Sequence, residues 1–169
     1  MSDLQMAGAA APKHNTTTNR QSDREVVITR TFDAPARIVF EAWTTPELLM
    51  QWWTPASFGI TFISCEADVR TGGTYKFVMG HPDFDQPMVF HGRYLEVVPG
   101  KKIVWTNEEG GEAGSVTTVT FEEKNGKTYL VLSDMHPSKA ALDAELASGA
   151  ISGYPEQFNQ LDILLKSRQ

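Results

Sequence analysis

The sequence predicts the α+β class: an antiparallel sheet of about seven strands curled around a long C-terminal helix, with two short helices near the start. Three observations carry this. From Ile60 to Met135 the chain reads as a series of strand-like segments separated mostly by short turns, which favours sequential antiparallel pairing. Tyr154, Phe158, Leu161 and Leu165 recur at spacings of four, three and four, one apolar helix face. Helix signals cluster outside the strand region, and helices segregated to one face of an antiparallel sheet define the class.

In chain order, residues 1–24 are rich in Ala, Thr, Asn, Gln and Ser and nearly free of large apolar groups. Such a segment cannot offset its ordering entropy by burial, so a disordered tail is expected there, with the domain at 25–169. In Glu25–Phe32, Val26, Ile28, Arg30 and Phe32 alternate with Val27, Thr29 and Thr31, a strand. Asp33-Ala34-Pro35 ends it and opens a helix, because Pro suits a first helical turn. Ile38, Val39, Ala42 and Trp43 give that helix its stripe; a second short helix after Thr45-Pro46 carries Leu48, Leu49, Trp52 and Trp53.

Six strands are then expected: Ile60–Arg70, Thr74–Gly80, Met88–Val98, Lys102–Glu108, Ser115–Glu123 and Thr128–Met135. Gly72-Gly73, Pro99-Gly100 and Asn125-Gly126 are their turn signals, and Gly110–Gly114 reads as a flexible loop. Ser138–Ala147 reads as a helix, interrupted by Gly149, Gly153 and Pro155 before the final helix from Tyr154 to Lys166. A strongly twisted sheet of this length curls, and its concave face leaves space beside the final helix.

Composition excludes several function classes. The net charge of −6 argues against a nucleic-acid surface, which needs clustered Lys and Arg. No apolar run reaches the roughly 20 residues of a membrane helix, and the opening residues lack a secretory pattern, so a cytoplasmic location is expected. Cys65 is the single cysteine, which rules out an intrachain disulfide and a multi-thiolate zinc site. His81, Asp83, Asp85 and His91 have ligating side chains, but their spacing fits no metal motif, so no metal and no cofactor is expected. No nucleophile elbow or phosphate loop is present. Asp68 and Arg70 lie two apart on a strand, which points to an ion pair anchoring the Gly72-Gly73 turn.

With the order of elements set out, the chain resembles the helix-grip fold of the START-like, or SRPBCC, superfamily. Within it, the chain is similar to bacterial proteins related to the C-terminal domain of the activator of heat-shock-protein-90 ATPase. The stretches that carry the resemblance are FDAPARIVFEAWTTPELLMQWW, EADVRTGGTYKFVM, HGRYLEVVPGKKIVWT and SGYPEQFNQLDILL, together spanning nearly everything from Glu25 onward. The most specific is D-x-R-x-G-G, Asp68 to Gly73, downstream of Trp52-Trp53-Thr54-Pro55. Two positions depart from the family pattern: Gly153-Tyr154 stands where Gly-Trp is usual, and Thr54 where Gly often precedes the proline.

Each large side chain on the expected concave face reads first as core. The resemblance implies that together they line a cavity for a small hydrophobic or aromatic ligand. The expected lining is Trp43, Trp52, Tyr75, Phe77, Met79, Met88, Phe90, Tyr94, Trp105, Tyr154, Phe158 and Leu161. Non-catalytic binding is the first functional expectation. Cyclase-, dehydratase- or hydrolase-type catalysis in the same cavity is the second, and a chaperone-associated stress-response protein acting through its surface the third. A tail of this composition can still order against a neighbouring subunit, which leaves a homodimer open. A chaperone contact is also left open, with no sequence feature supporting it.

Overall fold

The computed structural model describes residues 14–109 and 114–169. Eight strands form one antiparallel sheet: β1 Thr17–Arg20, β2 Glu25–Phe32, β3 Thr61–Ala67, β4 Thr74–Gly80, β5 Met88–Val98, β6 Lys102–Thr106, β7 Val116–Lys124 and β8 Lys127–Met135. Their order is β1-β2-β8-β7-β6-β5-β4-β3. Four helices accompany them: α1 Ala36–Thr44, α2 Pro46–Trp52, α3 Lys139–Ser148 and α4 Tyr154–Ser167. No helix among the described residues is long and apolar enough to cross a membrane.

The topology explains what covers the sheet. From β2 the chain must reach β3 at the far edge, and α1 and α2 make that crossing. Five hairpin-type steps then return it to β8, which pairs with β2 along its whole length, Glu25↔Met135 to Phe32↔Thr128. Inward positions follow period two: Val26, Ile28, Arg30 and Phe32 on β2 face the same side as Leu130, Leu132 and Asp134 on β8. Asn125 and Gly126, with φ of 56° and 78°, make the tight β7–β8 turn that their dipeptide signals.

The eighth strand comes from the segment expected to be a tail. Thr17–Arg20 pair with Thr29–Val26 as an edge strand, and all four of these β1 residues are exposed. Backbone pairing holds them, so no hydrophobic alternation announces them. Just before the strand, Thr16 accepts a hydrogen bond from Arg30 Nη1 (3.1 Å) and His14 pairs with Asp33 (3.0 Å). Residues 1–13 of the expected tail and most of the Gly110–Gly114 loop lie outside the described residues.

Helix α4 docks on β2, α1 and α2. Phe158, Leu161 and Leu165 are buried along its apolar face, as the spacing predicts. Arg30, only 2% exposed, reaches the same helix: its Nη1 also donates to Asn159 Oδ1 (2.9 Å), and Nη2 lies 3.7 Å from the Asp162 carboxylate. From its other flank α4 ties down the segment after α2. Gln160 Nε2 donates to the Trp52 and Thr54 carbonyls (3.1 and 2.9 Å), while its Oε1 accepts from Ala56 N–H (2.8 Å). Glu156 accepts from Ser57 N–H and hydroxyl, and these bonds hold its carboxyl below the usual range. Gly153 allows this close approach, since a Cβ would meet the Phe58 ring at 2.9 Å and Pro55 at 3.1 Å and the ring would have to shift.

Candidate functional site

Because α4 packs on the β2 side, the concave face over β4–β6 meets the helix pair instead. Between them lies a cavity of about 90 Å³, lined by Trp43 and Leu49 from α1 and α2, Trp53, Tyr75 and Phe77 from β4, Phe90 and Tyr94 from β5, Ile103 and Trp105 from β6, and Asn107 just beyond.

Strand register builds its sheet wall. Phe77 pairs with Phe90, Tyr75 with Gly92 and Tyr94 with Trp105, which places successive rings side by side on one face. Glycine is required at 92, since a Cβ there would lie 2.0 Å from the Thr106 carbonyl oxygen and 2.8 Å from the Tyr75 ring. The helix pair supplies the opposite wall. Trp43 and Trp53 meet edge to face at 5.7 Å between centroids, Trp53 meets Phe77 at 5.7 Å, and Trp43 lies 6.1 Å from Trp105. Edge-to-face pairs of this kind add stability beyond area burial and fix the ring planes. Phe90, Trp53 and Asn107 are only partly buried, so the cavity approaches the surface between them.

One corner is polar. Tyr75 donates its hydroxyl to the Thr106 carbonyl (2.8 Å), and Asn107 Oδ1 lies 3.4 Å away. Asn107 Nδ2 points into β7, towards the Ser115 carbonyl (3.3 Å), Ser115 Oγ (3.0 Å) and Thr117 Oγ1 (3.0 Å). Thr117 in turn bonds Asp134 Oδ1. Burial pushes the Asp134 carboxyl up to about 6, against the opposing pull of the Thr117 hydrogen bond. Burial also raises the phenols of Tyr75 and Tyr94 well above their usual range, so both are neutral near pH 7. Just past the end of β8, two residues from Asp134, His136 is buried with Nε2 unpartnered, and burial lowers its pKa.

Six of the twelve expected lining residues come together here: Trp43, Tyr75, Phe77, Phe90, Tyr94 and Trp105. The other six lie elsewhere. Trp52 is fully buried and donates its indole N–H to the Ala42 carbonyl (3.0 Å), a brace between the helices. Met79 and Met88 face each other at the far end of the β4–β5 pair. Phe158 and Leu161 are fully buried in the core, and Tyr154 stacks obliquely on Phe158 at 5.5 Å. The space expected against the final helix is therefore against the helix pair, because α4 closes tightly on β2, α1 and α2.

Sequence reasoning missed Leu49, Trp53, Ile103 and Asn107. Two periodic signals pointed to them. Ile103 and Asn107 flank Trp105 at two-residue spacing, and Leu49 precedes Trp53 by one helical turn.

The remaining candidates sit outside the cavity. Arg70 Nε donates to Asp68 (2.9 Å) on the surface, the anchoring ion pair that the motif predicts. His81 Nδ1 accepts from Asp83 N–H (3.0 Å), and the described residues hold no group of three or more His, Cys, Asp or Glu placed to share a metal ion. Burial raises the half-buried Cys65 thiol to about 11, which leaves little thiolate.

The family model described as "Activator of Hsp90 ATPase homolog 1-like protein" matches residues 33–166. No curated protein matches the chain. Among solved structures, a Rhodobacter sphaeroides protein is similar at 21% identity and a TM-score of 0.82, covering 91% of this chain and 99% of its own. A Nitrosomonas europaea protein is similar at 23% identity and a TM-score of 0.78, covering 88% and 98%. Protein Ms6760 of Mycobacterium smegmatis is similar at 25% identity and a TM-score of 0.77, covering 92% and 99%.

Proposed function

Because the chain belongs to the activator of Hsp90 ATPase homolog 1-like family, with its helix-grip fold, we propose that it binds a small aromatic or hydrophobic ligand without transforming it. The observation that carries this reading is the lining itself. Seven of the ten residues around the cavity are aromatic, and one corner is polar, the composition of a small-molecule site. Size narrows the class. Ligand pockets usually span roughly 300–1,000 Å³, and a cavity of about 150 Å³ is known to take benzene. At about 90 Å³ this cavity suits one ring, with slight yielding of its walls, and not a lipid chain.

The raised carboxyl of Asp134 supports a second reading, acid–base turnover of the bound molecule. The chemistry of the intervening groups favours binding. Asp134 is absent from the lining, and the side-chain path from the cavity passes through the Asn107 amide, a poor carrier of protons.

Filling the cavity tests the proposal. Ile103→Phe places a ring where the ligand would lie, at a cost of about 1–3 kcal/mol for overpacking. The wild-type protein is expected to bind toluene saturably, and folded Ile103→Phe to lose that binding. Equal binding by both proteins would place the ligand elsewhere and refute the proposal.

A further inference from the structure

The polar corner has a fixed sense. At neutral pH the Asp134 carboxylate only accepts, so it takes the single hydroxyl proton of Thr117. Thr117 Oγ1 must then accept from its other neighbour, so the Asn107 atom 3.0 Å away is the amide nitrogen. The Ser115 carbonyl, also acceptor-only, requires the same orientation at 3.3 Å. Two independent acceptors thus turn the Asn107 N–H groups into β7 and leave Oδ1 on the Tyr75 side, among the lining residues.

Tyr75 cannot satisfy that oxygen. Its one proton goes to the Thr106 carbonyl at 2.8 Å, and the 3.4 Å approach to Asn107 Oδ1 is too long to compete. Two other lining residues carry donors without a hydrogen-bond partner, the fully enclosed Trp43 indole N–H and the Tyr94 hydroxyl on β5, and neither is bonded to Asn107 Oδ1. The Asn107 corner therefore presents acceptors, Asn107 Oδ1 and the Tyr75 hydroxyl oxygen, with the Asn107 amide and Tyr75 hydroxyl protons already committed.

We infer that the cavity selects a single-ring ligand bearing an O–H or N–H donor, of the phenol or arylamine class, through Asn107 Oδ1. A ring that turns an acceptor alone to this corner, such as an ether or ketone, would set lone pairs against lone pairs there. This rests on the binding reading above and adds to it the polarity of the ligand. The chain Asp134–Thr117–Asn107 acts by positioning: it never touches the ligand but fixes which atom of the amide does.

The test compares phenol, fluorobenzene and anisole by NMR titration at pH 7.5, with wild type and with Asn107→Leu. Phenol is expected to lose about threefold to tenfold in affinity in the variant, the usual value of one neutral hydrogen bond. Fluorobenzene and anisole should bind the variant as well as, or better than, wild type. Equal losses for all three rings would overturn the donor inference and leave the binding reading intact. Failure of every ring to bind wild type would overturn both. Should Asn107→Leu not fold, wild type alone decides. Phenol must exceed fluorobenzene once their different transfer into hydrocarbon is allowed for, and parity would refute the inference.

Discussion

Gly73 has no room for a side chain: a Cβ there would stand 1.9 Å from the Asp68 carbonyl oxygen. Its neighbour Gly72 differs in kind, with open space around it but φ of 89°. Gly73→Ala must therefore shift backbone and should cost at least about 2 kcal/mol, while Gly72→Ala should cost about 1 kcal/mol for the left-handed conformation alone. Urea melts of the two single variants check the order; equal costs would contradict it. Asp134 gives a residue-level prediction in pH. Its carboxyl is raised from 3.8 to about 6, so the folded protein keeps a proton that the unfolded chain releases on the way from pH 4 to pH 6. Stability present below pH 4 is lost as pH rises through about 6, by up to about 3 kcal/mol. Asp134→Asn should lack this fall, and the difference between the two proteins cancels the opposite trend of His136, whose lowered pKa favours the folded state as pH rises. A wild-type and variant pair with parallel pH profiles from 4 to 7.5 would contradict the assignment.

At the scale of elements, β1 and α4 are where sequence and structure part. Strand β1 has no apolar alternation, so composition alone reads it as tail, yet Thr16 beside it supplies one of the two hydrogen bonds made by buried Arg30. A chain starting at Asp23 should lose about 2 kcal/mol or more of stability, because a buried charged donor is left underpaired and the β2 edge is exposed. An unchanged thermal midpoint would show that β1 contributes nothing. Helix α4 was legible in position and in its buried face, but not in what it faces. Phe158 is fully buried against Phe32 at 5.8 Å, Trp43 at 6.2 Å and Trp52 at 6.4 Å, away from the cavity. Phe158→Ala should therefore cost the packed-core amount, about 3–5 kcal/mol, a value read from a chemical-denaturation midpoint. A much smaller loss would place open space beneath the helix after all.

At the scale of the whole molecule, periodicity made the architecture legible. Inward residues such as Tyr75, Phe77 and Met79 are assigned to one face by spacing alone, and the structure buries all three. The cavity was less legible, because its position depends on how α4 and the helix pair share the concave face, a competition between distant segments that local pattern does not record. Half the expected lining is in the cavity, Trp43 from α1 and five residues from β4–β6; Trp52 and Trp53, adjacent in sequence, divide between brace and lining according to which way the last turn of α2 points them. That division offers the most direct test of the central claim. The chain has four tryptophans, and Trp43, Trp53 and Trp105 line the cavity while Trp52 does not. In a titration with phenol followed by the indole resonances, the first three are expected to shift together on one saturable isotherm, with Trp52 moving least. No saturable shift in those three, or a response confined to Trp52, would contradict a ligand site between the sheet and the helix pair.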